Sequence, residues 1–374
     1  MTSPWVRTPE ALAALARSLA GCRAIGLDSE SDSLYHHFEK VCLVQIATDR
    51  GEAFLVDTLA LRDLTPLAPA MADPALVKVL HGADYDVTTL KRDFSFSFAS
   101  IFDTMIAARL LGRTEIGLAA VARDELGVAL SKSNQKDDWS HRPLTPQQET
   151  YALADVLHLV PLRGRLEARL VSAARLEWLH EECAAVAALE PAARRRNPDA
   201  YLELKGARRL TPRALAALRE LVAWREGRAE ATDTPAFKIL GNESLVRLAE
   251  LRPRDAAGLK AVPGVLPRLR GQAGALLAAL RRAEEKPESE LPRVTRPPRP
   301  VIPDAVRARA ERLRAWRAQR AAQLGVEVSV VLPQRLIDRL AEARPRDEAE
   351  LSAVEGLRRW RAAAFGADLL AAVS

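Results

Sequence analysis

Five side chains occupy positions where the surrounding apolar pattern argues against casual polarity. Asp28 and Glu30 end an apolar run as Gly26-Leu27-Asp28-Ser29-Glu30, and in an extended strand a spacing of two points both carboxylates to one face. Asp86 follows the run Val77-Lys78-Val79-Leu80-His81-Gly82, at the start of a helical pattern. Asp155 lies in the apolar helical stretch YALADVLHLV with Tyr151 four residues earlier, which puts phenol and carboxylate on one helix face. A fold that gathers these elements brings four carboxylates beside a tyrosine. Like charges in one site push each other's pKa upward, and bound divalent cations remove that cost. Carboxylate and water are the ligands Mg²⁺ and Mn²⁺ prefer, and two ions about 4 Å apart clamp a phosphodiester for in-line attack. One ion activates a water and the other stabilises the leaving oxygen. Singly, each element has an ordinary reading: a D-x-E at a strand end, a helix N-cap at Asp86, a local hydrogen bond between Tyr151 and Asp155. The specificity lies in their order and spacing together.

What the chain lacks narrows the chemistry further. It has no G-x-x-x-x-G-K-[ST] loop, no G-x-G-x-x-G and no G-x-S-x-G, so a Walker loop, a dinucleotide fold and a serine-hydrolase elbow have no basis. The three cysteines, Cys22, Cys42 and Cys183, form no C-x-x-C pair, which argues against zinc ribbons, disulfide frameworks and iron–sulfur sites.

The elements that must position these residues read as a mixed α/β domain of about 170 residues. Thr8-Pro9-Glu10 starts a helix through Leu19. Cys22–Asp28, Val41–Ala47, Ala53–Asp57 and Leu76–Leu80 read as strands, and Val41–Ala47 is apolar enough to be buried on both faces. Helical patterns follow near Asp84–Phe94, Thr104–Leu111 and Leu118–Leu126. A long helix is predicted from Thr145 to Leu170, with Thr145-Pro146 as its start. The 374 residues, 48% hydrophobic and 28% charged, suit two or three globular domains and are too apolar for disorder. No apolar run approaches the roughly 20 residues of a membrane helix, and Met1–Glu10 has no signal pattern, so a cytoplasmic protein without a membrane partner is expected.

Beyond residue 170 the strand signal fades. After a break at Pro191–Pro198 comes an internal repeat at an offset of 92 residues: Ala223-Trp224-Arg225 matches Ala315-Trp316-Arg317, Leu248-Ala249-Glu250 matches Leu340-Ala341-Glu342, and Arg252-Pro253-Arg254-Asp255 matches Arg344-Pro345-Arg346-Asp347. Two copies of one all-helical module are therefore present, joined by a proline-rich tether. The predicted boundaries are 1–170 for the α/β domain, 171–205 for a helical connector, 206–283 for the first copy, 284–302 for the linker and 303–374 for the second. Net charge is −4 over residues 1–170 and +10 over the rest, with +8 in the first copy and +3 in the second. A basic C-terminal part points to a polyanionic partner, and the first copy is the better candidate to touch phosphate.

Three segments carry a resemblance: Gly26–Thr48 (GLDSESDSLYHHFEKVCLVQIAT), Val77–Phe94 with Phe102–Thr104, and Asp138–Leu159 (DWSHRPLTPQQETYALADVLHL). They resemble the three exonuclease motifs of the DEDD superfamily, and Tyr-x-x-x-Asp in the third is that of its tyrosine subgroup. Over nearly its whole length the chain is similar to the ribonuclease D family, in which a ribonuclease H-like α/β exonuclease domain precedes two all-α HRDC domains. The resemblance implies Asp28, Glu30, Asp86 and Asp155 as metal ligands, Tyr151 orienting the attacking water with Glu30 assisting, and two divalent ions, Mg²⁺ or Mn²⁺. A neutral phenol suits that role because it adds no charge. Implied too is a monomeric 3′–5′ exoribonuclease that takes RNA with a free 3′ end, such as tRNA precursors, and releases 5′-monophosphates. A 3′–5′ DNA exonuclease and a non-catalytic nucleic-acid scaffold are the alternatives. The usual motif has threonine and an aromatic where this chain has Ser29 and Ser31, and serine where it has Asp137. With Ser31 present, Tyr35 or Phe38 could hold the last base. Lys132, Trp139 and Arg142, just before the catalytic helix, are the expected substrate contacts. His81 is expected to satisfy a backbone carbonyl, since a hard cation has little use for imidazole.

Overall fold

The buried runs of the first hundred residues assemble into one sheet. A computed structural model describes residues 4–131, 133–192, 197–263, 265, 271–294 and 302–374. Its six strands are β1 (Trp5–Val6), β2 (Ala24–Ser31), β3 (Val41–Thr48), β4 (Ala53–Asp57), β5 (Val77–Leu80) and β6 (Ile101–Asp103), ordered β1-β4-β3-β2-β5-β6. Pairing is antiparallel at β2/β3 and β3/β4 and parallel at β1/β4, β2/β5 and β5/β6. β3 is buried along its whole length, Gln45 included, as its largely apolar run requires. β1 and β6 are too short to show a period and escape sequence reading.

The predicted helix from Thr145 to Leu170 is two helices, Pro146–Leu157 and Leu159–Ser172, meeting at His158. Pro161 has no N–H to give to Leu157, so the helical ladder cannot continue through it. The first of the two opens as expected. Thr145 and Gln148 form a reciprocal capping box with Pro146 in the first turn, which fixes where the helix begins. It then passes so close to β2 that a Cβ on Gly26 would lie 2.6 Å from the Val156 carbonyl oxygen. Only glycine permits that approach, and it sets the helix bearing Tyr151 and Asp155 against the strand bearing Asp28 and Glu30.

By compactness the chain forms two units, one of Met1–Ser31, Val41–Ala192 and Val301–Ser374, the other of Asp32–Lys40 and Ala193–Pro300. The helical copies repeat in detail. Arg225 donates to the Leu240 carbonyl at 3.2 Å and Arg317 to that of Leu332 at 3.0 Å. Arg252 and Arg344 both close a helix with φ of 46°, and Asp255 and Asp347 both cap the next helix.

The second copy is built into the unit that holds the sheet. Trp178, in helix Leu176–Ala187, stacks on Trp360 with ring centroids 4.2 Å apart. Glu181 accepts from the backbone N–H groups of Arg359 and Trp360 at 2.7 and 2.8 Å, where helix Arg359–Val373 begins. Arg361 donates to Glu182 at 2.8 Å. Because Trp360 is only 5% exposed, Trp360→Ala removes a large buried ring and is expected to cost about 3–5 kcal/mol. Thermal unfolding of the full chain reads this as a clear loss of Tm, and an unchanged Tm would show that the seam contributes nothing.

Candidate active site

Residues Asp28 and Glu30 lie at the C-terminal end of β2, opposite Gln45 and Leu43 of β3, and a register shift follows between Glu30 and Ser31. Helix Pro146–Leu157 brings Asp155 to them, so that Asp28, Glu30 and Asp155 each offer an oxygen within 4.8 Å of the others. Tyr151, one turn earlier, donates its hydroxyl to Asp155. Together with Ser29, His81, Leu118 and Ser131 these residues line a cavity of about 260 Å³.

Asp86 stands beside this trio rather than within it. It is buried in the first turn of helix Asp84–Phe94, where the helix end favours an anion, and the Ser29 hydroxyl donates to it. The turn leading into that helix is tied down by Asp103, which accepts from the N–H groups of Gly82 and Ala83 at 3.1 and 2.8 Å. The same carboxylate caps the next helix through Met105 and Ile106. Ser29, Asp103 and Gly26 are the supports that sequence reading missed. The FDT segment was the one visible signal for Asp103, while Ser29 and Gly26 acquire their roles only through tertiary contact.

The cluster's electrostatics follow from burial and mutual repulsion. Burial first, then the charges of Asp86 and Asp155, raise Asp28 well above the usual carboxylate range. Burial and the neighbouring carboxylates, Asp28 foremost, push Glu30 up to about 10. Burial raises Asp86 and Asp155 to about 6 each, against the hydrogen bonds from Ser29 and Tyr151 respectively. The Tyr151 phenol is raised by burial and by the charges of Asp155 and Glu30, so it stays neutral. An all-oxygen donor set whose members resist ionising together fits a hard divalent cation, which lowers every one of these pKa values.

The expected substrate contacts need correction. Trp139 is 1% exposed and packs 6.0 Å from the Tyr151 ring, so it supports the tyrosine from below and has no face for RNA. The Arg142 guanidinium is committed to Asp57 at 2.8 and 3.0 Å and to the carbonyls of Cys42 and Trp139, a bidentate brace that leaves no fork for phosphate. Lys132 lies outside the described residues. His81 lines the cavity, with its Nδ1 2.8 Å from the Thr104 hydroxyl.

A linkage test follows from the raised pKa values. Groups that bind protons more tightly when folded stabilise the protein at low pH, and that stability is lost as pH rises through the folded pKa. For Asp86 and Asp155 the window runs from about 4 to about 6, and for Glu30 it extends toward 10. In chelator at pH 8, Asp28→Asn is therefore expected to raise Tm by roughly 2–6 °C. The gain should shrink as pH falls to 5 or as Mn²⁺ is added. An Asp28→Asn protein less stable than wild type in chelator at pH 8 would refute the repulsive cluster.

Known proteins similar to this chain show its family. The family described as 3′–5′ exonuclease matches residues 4–171, and the HRDC domain family matches residues 214–280 and 306–373. Ribonuclease D of Acidiphilium cryptum is 34% identical over 98% of this chain and 91% of its own length. That of Pseudomonas paraeruginosa is 34% identical over 99% and 97%. The crystal structure of Escherichia coli RNase D, described as an exoribonuclease involved in structured RNA processing, superposes with a TM-score of 0.70 at 25% identity, covering 100% of this chain and 99% of that one. With a carboxylate cluster at the end of β2, a sheet of mixed direction and two helical repeats, the chain belongs to the ribonuclease D family of 3′–5′ exoribonucleases.

Proposed function

We propose that Asp28, Glu30, Asp86 and Asp155 hold two divalent cations, Mg²⁺ or Mn²⁺, and that the site removes nucleotides one at a time from a free RNA 3′ end as 5′-monophosphates. The observation that carries this reading is the trio of carboxylates within 4.8 Å of one another. The bound cations would supply Lewis-acid activation of water and charge stabilisation at the leaving oxygen. Glu30, raised to about 10 in the metal-free site, would lose its own proton when the cations bind and could then accept one from the attacking water. Tyr151 remains a neutral phenol, and its hydrogen bond to Asp155 holds the hydroxyl where it orients that water without adding charge. Ser29 and Asp103 hold Asp86 and its helix against the strand. A cavity of about 260 Å³ admits a strand terminus and not a double helix, which favours attack at an end. Every one of these residues comes from a single chain, so a monomer suffices.

Structured RNAs, tRNA precursors among them, are the proposed substrates. An acidic pocket repels RNA at long range, and the first helical copy, with 15 basic and 7 acidic residues over 206–283, supplies the opposing attraction. The test uses a 5′-labelled RNA hairpin with a single-stranded 3′ tail, in Mg²⁺ or Mn²⁺. A ladder shortening from the 3′ end is expected, with Asp28→Asn and Asp155→Asn slower by roughly 10³-fold or more and Tyr151→Phe by about 10²-fold. Equal ladders from Asp28→Asn would overturn the site. DNA of the same sequence cut as fast as RNA would overturn the RNA assignment.

A further inference from the structure

The segment that leaves β2 just after Glu30 belongs to the same compact unit as the first helical copy, and specific contacts clasp the two together. Asp233 reaches the His36 ring through Oδ2, 2.7 Å from Nδ1, and accepts from the Phe38 backbone N–H through Oδ1 at 2.9 Å. The Lys238 ammonium sits 3.8 Å above the centre of the Tyr35 ring, a cation–π contact that occupies one face of that tyrosine. Tyr35 is thus engaged in the clasp. Each clasped segment also presents a phenylalanine to solvent: Phe38 is 51% exposed and Phe237 is 53% exposed. The edge of the His37 ring meets Phe38, with centroids 4.9 Å apart.

The internal repeat provides a control. At the 92-residue offset, Asp233, Phe237 and Lys238 correspond to Gly325, Ser329 and Val330. In the second copy this corner touches the sheet-bearing part of its own unit: Val330 is 4% exposed within that core, and a Cβ on Gly112 would lie 1.8 Å from the Gly325 carbonyl oxygen. The module therefore uses this corner for contact. In the first copy the docking residues are replaced by an aromatic, a cation and a carboxylate that captures the post-Glu30 segment, and the aromatic is left open.

We propose that Phe38 and Phe237, held on these two clasped segments, form a stacking ledge for unpaired bases of the RNA strand, an assignment that rests on the exoribonuclease reading above. Base faces stack on aromatic rings without regard to sequence, while nearby cations hold the backbone. The excess of eight positive charges in residues 206–283 favours a polyanion over a protein helix as the occupant. The ledge supplies aromatic surface in a chain whose first motif carries Ser31 in place of an aromatic.

The test measures binding by the full chain, in chelator, of a single-stranded oligoribonucleotide carrying 2-aminopurine, by fluorescence. Phe38→Ala and Phe237→Ala are each expected to weaken binding by roughly 5- to 100-fold, with Phe237→Trp restoring it and Phe237→Leu failing to. An oligonucleotide made abasic at the stacked positions should bind wild type more weakly, yet lose little more with the alanine variants. Both rings are solvent-exposed, so the variants should melt with wild type. Alanine variants that bind as tightly as wild type, while wild type still produces a 3′ ladder, would overturn the ledge alone and assign the corner to a protein partner. Wild type that neither binds nor shortens RNA would overturn the exoribonuclease reading and the ledge with it.

Discussion

The burial of several carboxylates in one site, with the repulsion that their closeness adds, is the constraint on which this site depends. Two unit charges 4.8 Å apart, the spacing within which Asp28, Glu30 and Asp155 lie, repel by about 3 kcal/mol at an effective dielectric of 20. Each such pair is a large fraction of the roughly 5–15 kcal/mol by which a typical protein is stable. The arrangement persists because the backbone around it is over-determined. β2 is paired on both sides, with β3 and β5. The Thr145–Gln148 capping box fixes the start of the helix carrying Asp155. The absence of a side chain at Gly26 lets that helix settle on the strand, and Asp103 anchors the turn before Asp86 through backbone N–H groups.

The gathering of Asp28, Glu30 and Asp155 beside Tyr151 was legible in the sequence because period two and period four place them on common faces. β2 to β5 were legible from apolar runs long enough to register. β1 and β6, of two and three residues, were not. Pro161 carried the signal that splits the predicted long helix, although the apolar pattern runs straight through it. Trp139 and Arg142 misled because an aromatic and a cation beside a nuclease motif suit RNA as well as they suit a core. Only the tertiary fold shows that Asp57 already holds Arg142 and that Trp139 lies beneath Tyr151. Ser29 looked like a departure from a motif and turns out to hold Asp86.

The two helical copies show how one module diverges under different burdens. Their helices, αL closures and caps remain parallel, because these depend on local residues such as Arg252 and Arg344 or Asp255 and Asp347. Their surfaces do not. The second copy has exchanged charge for contact, with Trp360 stacked on Trp178 and Val330 drawn into the core around the sheet. The first keeps the larger positive excess. In the proposed reading, an acidic pocket would draw its attraction for RNA from that excess.

The most direct test of the central claim is a titration of metal-free protein with Mn²⁺, followed by electron paramagnetic resonance together with proton release. The proposed two-cation site predicts saturable binding of two ions per chain accompanied by proton release, since Glu30 holds its proton up to about 10 until a cation arrives, with binding weakened or lost in Asp28→Asn and Asp155→Asn. Absence of saturable binding, or unchanged stoichiometry in both variants, would contradict the account.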